Sequence, residues 1–167
     1  MPSVAAGQKI TPFLWFDKEA EEAAKLYVSL FRNSAIENVA RYTDTGQEIT
    51  GGTPGKVMTV TFTLEGQRFT ALNGGPLFKF TEAVSFMVGC DSQEEVDFFW
   101  SKLTEGGQES QCGWLKDRFG LSWQIVPRAM FELLGDKDRK KAARATEAML
   151  KMKKLDLAQL RRAHAAG

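Results

Sequence analysis

A chain of 167 residues, 43% hydrophobic and 26% charged, suits one compact domain or one domain with a short appendage. The net charge is +1, which excludes a strongly polyanionic or polycationic protein. No run approaches the ~20 apolar residues that cross a bilayer. "MPSVAAGQK" has no apolar core of signal-peptide length, so a cytoplasmic protein without membrane contact is expected.

The first apolar stretch, "ITPFLWF" (10–16), is short and aromatic and predicts a strand. Asp17 is placed to cap a helix over 18–31, in which Ala20, Ala23, Ala24, Tyr27, Leu30 and Phe31 recur at helical spacing. Glutamates in its first turns suit the positive end of the helix dipole. Strands are predicted over 34–43, 56–66 and 67–73. In the second of these Met58, Val60, Phe62 and Leu64 alternate with Thr59, Thr61 and Thr63, the pattern of a half-buried strand. Glu65-Gly66 is a hairpin turn signal, and the Gly/Thr-rich stretch 44–55 predicts a mobile loop.

The order then restarts. "AVSFMVGC" (83–90) predicts a strand. A helix follows over 91–103, capped by Asp91 or Ser92 and stopped at Gly106-Gly107. One or two short strands are predicted in 108–117 and a last one in 120–127. There Leu121, Trp123 and Ile125 point one way and Ser122, Gln124 and Val126 the other. Strand–helix–three strands therefore occurs twice, over about 8–73 and 83–127. The copies superpose with Pro12 on Ser85, Phe13 on Phe86, Ala23 on Val96 and Tyr27 on Trp100. The expected fold class is α+β: two βαβββ units side by side forming a curved mixed sheet, helices outside, with a cavity lined by the other face.

Beyond Pro127 the pattern turns helical. Residues 128–167 are expected to form a C-terminal helical extension to a domain over 1–127. It holds one helix over 139–156, with an apolar stripe of Ala142, Ala145, Ala148, Met149 and Met152, and a short helix capped by Asp156. From Asp136 to Arg162 there are ten Lys/Arg against four Asp/Glu, a balance of +6, leaving −5 elsewhere. No aromatic residue sits among these cations for base stacking, so a solvated helix face is expected rather than a nucleic-acid site.

The words "ITPFLWFDKEAEEAAKLYVSLF", "LNGGP", "AVSFMVGCDSQEEVD", "CGWLKDRFGLSWQIVP" and "AMLKMKKLDLAQL" resemble the PhnB-like family. The resemblance runs from about residue 8 to 162. This family belongs to the vicinal-oxygen-chelate superfamily of glyoxalases, extradiol dioxygenases and fosfomycin and bleomycin resistance proteins, and its members have often been labelled demethylubiquinone methyltransferase. The resemblance implies a homodimer with cavities often completed across subunits. It also implies metal-ligand positions near the start of each unit's first strand and on its last strand, typically His, Gln or Glu. Carried over, these fall on Pro12, Ser85 and Gln124, with Thr70 as the fourth by counting from the hairpin glycine, or Asn73 in a shifted register. Proline has no donor, and serine, threonine and asparagine are weak neutral ones. A divalent ion needs stronger ligands, so no metal and no cofactor is expected. Leu14, Phe16, Met87, Cys112 and Trp114 complete the expected pocket lining around these positions.

Other chemistry finds little support. The single histidine, His164, stands three residues from the C-terminus, and neither cysteine has an evident base to make a thiolate. "GGTPG" and "NGGP" are glycine-rich but do not join a strand to a helix, as a dinucleotide-type or methyl-donor fold would require. Two readings remain. One is a metal-free protein that binds an unidentified small molecule. The other is a glyoxalase- or dioxygenase-like enzyme with a displaced metal or metal-free chemistry.

Overall fold

The computed structural model describes residues 8–45 and 47–166. The chain divides into two units that meet in sequence at Lys79 and Phe80. In the first, β1 (Phe13–Phe16), α1 (Ala20–Leu30), β2 (Ala35–Arg41), α2 (Gln47–Thr50), β3 (Val57–Leu64) and β4 (Gln67–Asn73) follow in order. Their four strands form one sheet in the order β1-β4-β3-β2, with β1 parallel to β4 and the other pairs antiparallel. The alternation of β3 sets the packing. Val60 and Phe62 lie at 0% exposure on the side that meets α1, where Tyr27, Ala23 and Ala24 are also fully buried. Tyr27 and Phe62 stand 6.2 Å apart between centroids, and Phe62 stacks on Phe69 of β4. Burial of each such large side chain contributes about 1.5–3 kcal/mol.

Two local features of this unit differ from the sequence expectations. Asp17 does not cap α1; Glu19 holds the N-cap position and offers no side-chain bond. The cap comes instead from 53 residues downstream, where Asn73 Oδ1 accepts from the Ala20 N–H at 2.8 Å. The loop 44–55 contains the short helix α2, and its exit is tied down. Tyr42 N–H donates to Lys56 O, Gly55 N–H to Tyr42 O, and the Arg41 guanidinium to Gly55 O. Gly46 lies outside the described residues. The Glu65-Gly66 turn does form as predicted, both residues taking positive φ (48° and 80°), which a two-residue hairpin demands.

The second unit repeats the plan with β5 (Ser85–Cys90), α3 (Gln93–Thr104), β6 (Gln108–Glu109), β7 (Trp114–Lys116) and β8 (Ser122–Pro127). The strand order is β5-β8-β7-β6, again with one parallel pair, β5 and β8. Ser92 caps α3 by accepting from Glu95 N–H, while Glu95 accepts from Asp91 N–H, so two helix-start donors are satisfied reciprocally. The strands thus form two hydrogen-bonded sheets of four, one in each of the βαβββ units expected from the repeat.

The C-terminal helices α4 (Ala129–Leu134), α5 (Arg139–Leu150) and α6 (Leu157–Ala165) belong to this second unit. Met130, Met152, Leu155 and Leu160 bury Val126 of β8. The helix expected over 139–156 stops at Leu150. The chain then passes the β6–β7 turn, where Cys112 N–H donates to Met152 O and Gly113 N–H to Lys153 O. Gln93, at the start of α3, clamps the same stretch: its Nε2 donates to Leu155 O and its Oε1 accepts from Leu157 N–H. These bonds, with burial of Leu155, outweigh helical continuation.

Candidate functional site

In the second unit the face turned away from α3 carries the polar residues. Register places Ser85 opposite Ser122, and Ser122 opposite Lys116. The next row, two residues on, is Met87, Gln124 and Trp114. Gln124 Nε2 donates to Ser85 Oγ at 2.9 Å. Ser122 is 1% exposed, and its Oγ has no hydrogen-bond partner among the described residues. Met87 is half exposed, and Lys116 pairs with Glu82 at the rim. Of the sequence-predicted lining residues, Ser85, Met87, Trp114 and Gln124 are therefore brought together. Cys112 is not. It sits in the β6–β7 turn at φ 57°, bonded through its backbone to Met152.

The first unit arranges its candidates differently. Phe13 and Trp15 share the face away from α1 with Thr70 and Leu72. Leu14 and Phe16 lie on the other face, 6% and 3% exposed, in register with Ala71 and Asn73 under α1. Asn73 is fully engaged there, since its Nδ2 donates to Val57 O at 3.0 Å while its Oδ1 caps α1. Pro12 precedes β1, and its carbonyl accepts from Thr70 N–H. Thr70 is buried beside Thr61, whose Oγ1 likewise has no partner among the described residues.

Register also sets which residues share a face in each unit. Phe13 pairs with Thr70 as Ser85 pairs with Ser122, and Trp15 with Leu72 as Met87 with Gln124. Ser85 and Gln124 thus lie on the face away from their unit's helix, as Phe13, Trp15, Thr70 and Leu72 do in the first unit, whereas Asn73 lies on the helix face. The sequence alignment holds in the helices, where buried Ala23 and Tyr27 match Val96 and Trp100. The strands before them do not follow the same offset, because the strand-to-helix link is one residue longer in the first unit, Asp17-Lys18-Glu19 against Asp91-Ser92. The hairpins of the two units differ, because β3–β4 is paired down to Leu64 and Gln67, whereas β7 and β8 part at Lys116 and Ser122.

Of the ligand positions that the resemblance implies, Ser85 and Gln124 are joined on this face of the second unit. A hydroxyl and an amide are weak neutral donors for a divalent cation. Among the described residues no group of three or more His, Cys, Asp or Glu converges elsewhere.

A family model described as 3-demethylubiquinone-9 3-methyltransferase matches residues 8–126. The chain belongs to this family. It is 39% identical to the PhnB protein from Bacillus cereus, with a TM-score of 0.65, over 72% of this chain and 99% of that one. The protein PA1353 from Pseudomonas aeruginosa shares the fold at 20% identity, with a TM-score of 0.60 over 72% of this chain and 98% of that one. No curated protein matches. Membership in this PhnB-like family places the chain in the vicinal-oxygen-chelate superfamily. The family match ends at Val126, so α4, α5 and α6 lie beyond it.

One further residue matters that sequence reasoning passed over. Asp117, in the β7–β8 turn, is 3% exposed. Its Oδ1 accepts from Phe119 and Leu121 N–H, and its Oδ2 from Trp123 Nε1 at 2.9 Å. It is a structural carboxylate that fixes the strand carrying Gln124. Cys90 is 1% exposed, and burial, reinforced by the nearby Glu95 charge, pushes its thiol up to about 12. That thiol stays protonated at neutral pH and is no nucleophile.

Proposed function

We propose that this PhnB-like protein binds a small molecule without metal, through neutral hydrogen bonds on the Ser85–Gln124 face of its second unit. The supporting observation is the state of that polar row. Gln124 spends one N–H on Ser85, its Oε1 has no partner among the described residues, and Ser122 Oγ is buried and unpartnered. Unmet hydrogen-bonding groups beside Met87 and Trp114 suit a ligand with an apolar body and one or two polar groups. Metal-assisted chemistry of the superfamily type is not favoured, because Ser85 and Gln124 offer only weak neutral donors. Methyl transfer in a doubly wound fold is not favoured either. The strand-to-helix links, Asp17-Lys18-Glu19 and Asp91-Ser92, contain no glycine to admit a cofactor phosphate or sugar. The protein acts as a cytoplasmic homodimer in this reading, sequestering or sensing its ligand.

A thermal-shift screen over small metabolites and divalent metals tests the proposal. A ligand that binds the native state raises Tm by mass action, and the shift should be lost in Gln124→Ala and Ser122→Ala. Stoichiometric metal in protein purified without chelator would overturn it. Light scattering that finds only monomer would remove the dimer.

A further inference from the structure

The basic residues of the C-terminal helices are sorted by the fold into two groups. At the far end of α5 each lysine has an acid: Lys151 pairs with Glu147, Lys153 with Glu109 and Lys154 with Asp97. At the near end they do not. α5 and α6 run antiparallel, because Arg144 donates to Ala163 O and His164 O while His164 Nε2 lies 2.8 Å from Asp136 Oδ2. This brings the start of α5 beside the end of α6. Lys137, Arg139, Lys140, Lys141, Arg161 and Arg162 therefore gather at one end of the hairpin. All six are exposed, and none has a salt-bridge partner among the described residues. The acids at this end are occupied: Asp136 faces His164, and Asp138 caps α5 by accepting from Lys140 and Lys141 N–H.

This arrangement opposes stability. Three cations fill the first turn of α5, the positive end of its dipole, with no acid in that turn, whereas α1 and α3 begin with two glutamates each. The patch is also preformed, since the hairpin is pinned to its unit through Met152, Leu155, Leu160 and the Gln93 clamp. A rigid, unneutralised cluster of mixed Arg and Lys fits a dense row of phosphates. No aromatic residue lies in the cluster, so it does not read unstacked bases. No large apolar side chain is exposed between Asp136 and Thr146 or along α6, so it lacks the wedge of a membrane-surface helix. We propose that the near end of the α5–α6 hairpin docks on the phosphate backbone of a nucleic-acid duplex, without base specificity. The site is separate from the Ser85–Gln124 face, and the remaining −5 of charge leaves this end as the one suited to a polyanion.

The test is fluorescence anisotropy of the full-length protein with a labelled mixed-sequence 30-base-pair duplex between 50 and 200 mM NaCl. Neutralising about six phosphates gives a log–log salt slope of about −5, and an affinity loss of about 10³-fold over that range. Lys140→Ala with Arg161→Ala should lower the slope by about 2 with Tm unchanged, while Lys151→Ala with Lys153→Ala should leave it alone. Three outcomes would overturn the proposal: no binding at 50 mM salt with the duplex at about 100 µM, a slope the near-end pair does not change, or tighter binding to phosphatidylserine vesicles or polyglutamate than to the duplex.

Discussion

Asn73 closes the β4 strand and, at the same time, caps α1 by accepting from the Ala20 N–H. Its other amide group donates to Val57 O. One side chain therefore ties helix, central strand and last strand of the first unit together. Asn73→Ala should cost about 2 kcal/mol, since a lost cap alone is worth about 1 kcal/mol and the amide N–H that donates to Val57 O goes with it. Asn73→Asp keeps the acceptor and should cost less. Urea titration of the two variants checks the order.

Asp117 is the corresponding linchpin of the second unit. Asp117→Ala leaves the Phe119, Leu121 and Trp123 N–H groups without their acceptor and should destabilise by about 3 kcal/mol or more. Trp123→Phe removes only one donor and should be milder. If both variants melt like the parent, the carboxylate is not holding the turn.

The two thiols should separate cleanly. Cys90, buried and pushed up to about 12, should resist Ellman's reagent in the native protein at pH 8. Cys112, in a partly exposed turn, should react first. Denaturation should make them equal, and Cys112→Ser should abolish the fast phase.

Acid should weaken the protein through its ion pairs. The hydrogen bond from Lys154 lowers Asp97, and that from Lys151 lowers Glu147. A carboxylate depressed in the folded state adds stability that is complete above its unfolded value. That contribution is lost as pH falls through the folded value, here below 3.8 for Asp97 and 4.5 for Glu147. Lys154→Met should flatten the acid limb of a Tm–pH profile, and 1 M salt should flatten the parent's.

The helices show how far local pattern reaches. α1 and α3 were legible because their apolar positions recur at helical spacing, and the Glu65-Gly66 turn because so few residues tolerate its backbone. The break at Leu150 was not legible. It depends on hydrogen bonds from Cys112, Gly113 and Gln93, up to 62 residues away in sequence. The site was legible by half: Ser85, Met87, Trp114 and Gln124 share a face, whereas Leu14, Phe16 and Asn73 lie beneath α1.

Residue order alone determined the repeated βαβββ plan, because hydrophobic period and turn chemistry are properties of neighbouring residues. How the strands of each copy pair with one another was decided only by the tertiary structure. A shift of one residue moves every side chain to the opposite face of its sheet, and nothing local to β1 or β4 records it.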